Sequence, residues 1–280
     1  MRGSTTVLLI VTLFLSACAA TQTRADLDRL YGSERVRDRV LPGPVEDHVD
    51  YWSDVRPILE SRCVVCHGCY DAPCQVKLDA VEGIDRGANK EKVFEPSRLL
   101  AMSLTRLFED APTTAAWREK GFHPVLNERD DSSEANLQGS VLYRMLELKR
   151  RHPLPDTPLL EDFDLAIDRD QTCPTIEEFS AYAEKTPTWG MPYGLPALSE
   201  REFRTIERWM EEGARFTARQ APAAPLEREV DSWEKLLNRD DLKSQLIGRY
   251  LYEHLFMAHL HFPDVTAQGK TPDFFELVRS

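Results

Sequence analysis

Cys63-Val64-Val65-Cys66-His67 is the run that most restricts what this chain can become. C-x-x-C-H is the attachment pattern of c-type haem: two cysteine sulfurs add to the two vinyl groups, and the adjacent histidine is placed to bind iron on the proximal face. Two other chemistries use paired cysteines. Zinc wants a second matching pair at a fixed spacing, and Cys69 and Cys74 do not repeat C-x-x-C. A redox dithiol normally opens a helix after a strand, whereas here a helical pattern runs into the motif. We therefore expect one covalent haem c, held by Cys63 and Cys66, with His67 as an axial iron ligand.

The start of the chain speaks to compartment. Arg2 is a short positive segment, and Val7 to Leu15 is an apolar run without charge. That run is too short to cross a ~30 Å hydrocarbon core, so a cleaved export signal over residues 1–17 is the expectation. Leu15-Ser16-Ala17-Cys18 resembles a bacterial lipobox, after which Cys18 would be the acylated first residue of the mature chain; the rival is a plain signal peptide with an incidental cysteine. Ala19 rather than Asp after the cysteine points to the outer membrane. A periplasmic lipoprotein follows, and the lipid anchor supplies a membrane attachment that charge does not. The formal net charge of −12 argues against nucleic acid and against docking to anionic headgroups.

Hydrophobic residues at 42% and charged residues at 29% are the balance of a chain that can build an ordinary core. Residues 18–49 read as a polar linker, with Pro42-Gly43-Pro44 as its mark. Ser53-Asp54 reads as a helix start with Pro57 in its first turn, continuing through Val55, Ile58 and Leu59 to Cys63. Further helices are predicted at about 96–109 and 140–150, and Pro153 to Pro187 reads as an inserted loop. Ser199 and Glu202 form an S-x-x-E capping box for a helix whose stripe is Phe203, Ile206, Trp209 and Met210, with Gly213 at its end. Residues 217–230, with their Ala-Pro pairs, read as a linker. From Asp231 to Phe262 the chain is helical in character and aromatic. The closing Phe274–Ser280 reads as an interrupted element, so a second helical region over 231–280 is expected to be incomplete.

Asp54-Val55-Arg56-Pro57-Ile58-Leu59 leading into Cys63–His67-Gly68, with Gly190-Met191-Pro192-Tyr193, Leu198-Ser199, Ile206, Trp209-Met210 and Gly213-Ala214, resembles class I cytochrome c domains. The resemblance implies a mostly α fold: a cytochrome c-like haem domain over 50–216, with insertions, followed by the start of a second helical region. It also implies Met191 as the distal iron ligand; should Met191 fail in that role, His123 and His152 in the insertion are the first histidines to suspect. Met191 lies far beyond His67, so the domain carries more chain than a minimal cytochrome needs.

A second resemblance is narrower. Arg62 through Gln75, Arg249-Tyr250-Leu251-Tyr252-Glu253-His254-Leu255-Phe256, Ala258-His259-Leu260 and Phe274–Ser280 look like segments of bacterial periplasmic fatty acid cis/trans isomerases. That likeness implies a haem-dependent enzyme converting cis-unsaturated acyl chains of membrane phospholipids to trans, this chain corresponding to the N-terminal portion. It further implies that the haem iron itself is the catalytic group. Trans is the more stable isomer, so no energy source is needed, and the sequence has no nucleotide loop. Because the family's proteins are longer, we expect this 280-residue form to lack much or all of the activity. The alternative is a periplasmic electron-transfer lipoprotein with a redox partner; a pure carrier would not need the segment after residue 216.

Two smaller expectations complete the reading. On one helix His254 and His261 would share a face about 10 Å apart, with His259 elsewhere, so we read a packed aromatic helix there rather than a metal site. Cys69 and Cys74 should pair with each other or with Cys173, leaving one odd thiol.

Overall fold

The helix leading into the C-x-x-C-H motif begins earlier than Ser53. In the computed structural model, which describes residues 24–43, 45–68, 72–95, 98–155, 164, 166, 171–218, 223–256, 258–266 and 272–277, Asp50 is its cap. The Asp50 carboxylate accepts the Ser53 N–H at 2.8 Å. A wide π-helical turn over Tyr51–Val55 follows and runs into the helix Arg56–Arg62. The expected export signal, Cys18, Cys69 and residues 278–280 lie outside the described residues.

The chain divides into two compact units, Met1–Ala218 and Arg219–Ser280. The first is mostly helical. In order it holds α1 (24–31), β1 (Val40–Leu41), the π-turn, α2 (Arg56–Arg62), α3 (Val64–His67), α4 (Val81–Arg86), β2 (Phe94–Glu95), β3 (Arg98–Leu99), α5 (Thr114–Glu119), α6 (Ser133–Gln138), α7 (Val141–Arg151), α8 (Phe179–Lys185), α9 (Glu200–Glu211) and β4 (Phe216–Thr217). β1 pairs parallel with β4, Val40 opposite Phe216, and β2 pairs antiparallel with β3.

The core forms where the π-turn and α2 meet α9. Tyr51, Val55 and Leu59 recur every four residues and are all buried, which is one helix face. Against it α9 lays Phe203, Ile206, Trp209 and Met210, each buried and each contributing about 1.5–3 kcal/mol. The Tyr51 and Trp209 rings stand 5.7 Å apart. Both halves of the capping box form: Ser199 Oγ accepts from Glu202 N at 3.3 Å, and Glu202 Oε2 accepts from Ser199 N at 2.7 Å. Gly213 closes the helix at φ +93°, where a side chain would be strained.

Four expectations change. Residues 24–41 are not a linker but part of the unit. Arg39 is buried and donates to Asp85 at 2.9 Å, to the Gly213 carbonyl at 2.7 Å and to the Asn127 carbonyl at 2.7 Å. The helix expected at 96–109 does not form over the described residues 98–109, because tertiary bonds outweigh local propensity: Thr105 is buried, its Oγ1 donating to Gln75 Oε1 at 2.7 Å and its carbonyl accepting from Arg86 at 2.7 Å. The inserted stretch 153–187 ends in α8, whose Phe179 and Tyr182 pack on α7. Residues from Ala224 onward, expected to be linker, open a helix, because proline is tolerated at its first positions.

In the second unit α10 (Ala224–Leu237) pairs with α11 (Leu242–Leu255). The helix stops at Leu255 rather than reaching Phe262. Leu260 instead bridges Phe275 antiparallel, and a short 3₁₀ turn occupies Pro263–Val265. Among the described residues no helix is long and apolar enough to cross a membrane.

Candidate functional site

Cys63 joins two short helices. Its N–H bonds to the Leu59 carbonyl at 2.8 Å, and its own carbonyl accepts from Cys66 at 3.1 Å and His67 at 3.0 Å. That single turn brings residues i, i+3 and i+4 to one side, so both sulfurs and the imidazole share a face. Cys63 and Cys66 are free thiols, the first half-buried and the second exposed. Burial pushes the Cys63 thiol up to about 11, so at neutral pH it keeps its proton, unlike the attacking thiolate of a redox dithiol.

His67 is oriented by the backbone. Its Nδ1 lies 3.1 Å from the Val76 carbonyl oxygen. A carbonyl only accepts, so Nδ1 carries the ring proton and Nε2 keeps its lone pair. Burial pushes the ring pKa down, which favours this neutral form. The carbonyl is itself held. Cys74 and Gln75 take left-handed φ values of 55° and 53° in the turn before Val76. The buried Gln75 donates to the Glu91 carbonyl at 2.9 Å and accepts from Thr105, while Arg86 donates to its backbone carbonyl. Cys74 is covalently joined to Cys173. Of the pairings left open by sequence, Cys74 with Cys173 is the one formed.

Met191 sits on a loop packed against the same core. Its N–H donates to the Met145 carbonyl at 3.0 Å. Its half-buried side chain touches the main cluster, as Cys63 and Val64 do, and also the smaller cluster of Val141, Met145, Leu148, Phe179 and Tyr182. Gly190 is needed for this approach: a Cβ there would fall 2.3 Å from Lys149 N and 2.8 Å from the Met145 oxygen. Arg62 Nη2 ties the far end of the loop, donating to the Ala197 carbonyl at 2.9 Å. Two free thiols, a neutral imidazole with Nε2 open and a thioether on the same core are the donor set that a covalently bound haem requires.

The remaining candidates lie elsewhere. His123 pairs its backbone with Ala88, and its buried Nε2 has no hydrogen-bond partner; burial pushes it down to about 4. His152 is exposed at the end of α7. His254 lies on α11, while His259 and His261 follow its end, so the three do not share a helix; His259 Nε2 meets Glu276 at 3.1 Å. Among the described residues no three His, Cys, Asp or Glu gather as a metal-binding group. Sequence reading passed over Arg62, Gln75 and Lys149 as site residues. Lys149 carried a signal, since Val141, Met145 and Lys149 recur every four residues on an otherwise apolar face.

Residues 102–280, well over half of the chain, match the family model of the fatty acid cis/trans isomerases (CTI). The chain belongs to this family. No curated protein and no solved structure matches it. The isomerase family match takes in Lys149, Cys173, Met191, α9 and the whole second unit, and begins beyond Cys63–His67. Membership places the chain among isomerases whose substrates are fatty acyl chains. It covers the segment after residue 216, which a pure electron carrier does not account for.

Proposed function

We propose that this chain is a haem c-dependent isomerase of cis-unsaturated acyl chains in membrane phospholipids, with Cys63 and Cys66 as covalent haem attachments and His67 and Met191 as axial ligands. The observation that carries the haem assignment is the His67–Val76 bond, which fixes the imidazole with Nε2 free beside two unpaired thiols. Bound there, a haem iron supplies an electron acceptor able to lower the bond order of an alkene. The chain's own residues do the rest. Val76 sets the His67 tautomer, Gln75 and the Cys74–Cys173 bridge hold Val76, and Gly190 with Arg62 hold the Met191 loop. The main core cluster behind Cys63 and Met191 is apolar, which keeps water from that side of the site. The domain over 50–216 is, in this reading, cytochrome c-like. The protein works in the periplasm, anchored to the outer membrane through lipid on Cys18, in the same bilayer as its substrate.

The test is incubation of haem-loaded protein with cis-unsaturated phospholipid vesicles, with trans product measured by gas chromatography. Turnover that disappears in the Cys63→Ala/Cys66→Ala double variant supports the proposal and overturns the expectation that this 280-residue form lacks the activity. Turnover that survives in that variant overturns haem dependence.

A further inference from the structure

Lys149 is 1% exposed, and its Nζ, itself buried, has no hydrogen-bond partner. No carboxylate among the described residues acts on it. Its charged neighbours along α7 are engaged elsewhere: Arg151 pairs with Glu147, and the Arg150 guanidinium lies 4.3 Å over the Phe203 ring. A lone ammonium inside a protein is strongly disfavoured unless an anion meets it.

Its position says which anion. Helical side chains lean toward the helix N-terminus, so the Lys149 stem runs back over the turn containing Met145. Met145 supplies the carbonyl that accepts from Met191 N at 3.0 Å, and Gly190 presses directly on the Lys149 backbone. The Lys149 backbone therefore lies against the loop that carries Met191. A haem attached at Cys63 and Cys66 brings two ionised propionates to the edge of such a site. The acyl substrate brings no anion there, because the double bond of an esterified chain is many carbons from its phosphate.

We propose that Lys149 is the counter-ion of a haem propionate, its ammonium hydrogen-bonded to the carboxylate in the loaded protein. The assignment rests on the haem reading above. Lysine suits the role as a point charge on a flexible stem, reaching a group that arrives only with the cofactor.

The experiment uses the full chain matured with haem, wild type beside Lys149→Met and Lys149→Arg. Two quantities are read: the propionate bending mode by resonance Raman and the midpoint potential. Lys149→Met should shift the mode to that of an unbonded propionate and lower the potential, since losing a nearby positive charge favours ferric iron. Lys149→Arg should keep both close to wild type, and the axial-ligand spectrum should stay unchanged throughout. A Lys149→Met protein that stains fully for haem with mode and potential unmoved overturns the assignment. So does an equal change in the Met and Arg variants, which would report packing rather than charge. If Lys149→Met does not fold, Lys149→Gln is read by the same criteria. Wild-type protein that never stains for haem is a different result: it removes the haem reading itself.

Discussion

Arg62, the residue before the first cysteine of the motif, donates through Nη2 to the Ala197 carbonyl at 2.9 Å. The two positions are 135 apart in sequence. The same guanidinium reaches the Pro196 carbonyl at 3.3 Å and approaches Glu202 at 3.8 Å, at the start of α9. One side chain thus couples the helix that presents Cys63 to the loop that presents Met191. It makes the separation between the two candidate axial ligands a property of the folded chain.

Replacing Arg62 by methionine keeps the apolar stem and removes the donors. Hydrogen bonds from a charged group contribute about 1.5–3 kcal/mol, enough to loosen a surface loop without unfolding the unit. The expected outcome is covalent haem retained and the Met191 ligand signature weakened. Haem staining together with the visible spectrum of the oxidised protein checks it. A variant whose spectrum equals wild type would remove Arg62 from the positioning role.

Covalent attachment is the most direct prediction. Periplasmically matured protein should give a haem-stained band after denaturing electrophoresis, and Cys63→Ala together with Cys66→Ala should abolish it. A wild-type band that never stains ends the c-type reading.

Met191 and Gly190 separate ligation from placement. Met191→Ala should remove the weak sulfur-to-iron charge-transfer band and lower the potential. Gly190→Ala leaves the thioether intact but forces a methyl to within 2.3 Å of backbone. It should lose the same band and also melt at lower temperature. If Met191→Ala leaves the spectrum untouched, another group ligates the iron; the half-buried His123 is then the one to substitute next.

The parts of this structure that sequence made legible are those whose causes are local. The capping box of Ser199 and Glu202 spans three residues, and the α9 stripe follows from helical period alone. The C-x-x-C-H turn is equally self-contained. What escaped reading depends on distant partners. Arg39 looks like a linker residue until its three acceptors appear, 46, 88 and 174 positions away. Thr105 belongs to a helical-looking run, yet its bonds to Gln75 and Arg86 draw it into another conformation. The Val76 carbonyl that orients His67 is backbone, and no residue type announces it.

The Cys74–Cys173 bridge closes a loop of sequence separation 99. In the chain-entropy account a loop of this size stabilises by about 3–5 kcal/mol. Cys74→Ser with Cys173→Ser should therefore lower the melting temperature markedly. Because the bridge braces the turn before Val76, the variant should also take up less haem than wild type at equal expression. Full haem loading despite the lower melting temperature would confine the bridge to global stability.

Acid sensitivity should report one carboxylate in particular. Asp131 accepts from Arg37 at 2.7 Å, from Arg215 at 2.6 Å and from Asn136 at 2.8 Å, joining the N-terminal segment, α6 and the approach to β4. Partial burial raises its pKa, but those three hydrogen bonds and the Arg37 charge outweigh it, holding the carboxyl well below the usual range. The sign follows from linkage. A depressed folded-state value stabilises fully above the unfolded value of about 3.9, and that contribution fades as pH falls toward the folded value. Asp131→Asn should therefore lower the melting temperature most at pH 6–7, with the gap from wild type closing progressively below about pH 4. Thermal melts of both proteins across this range test it. A gap that stays constant with pH would mean that Asp131 acts through shape rather than charge.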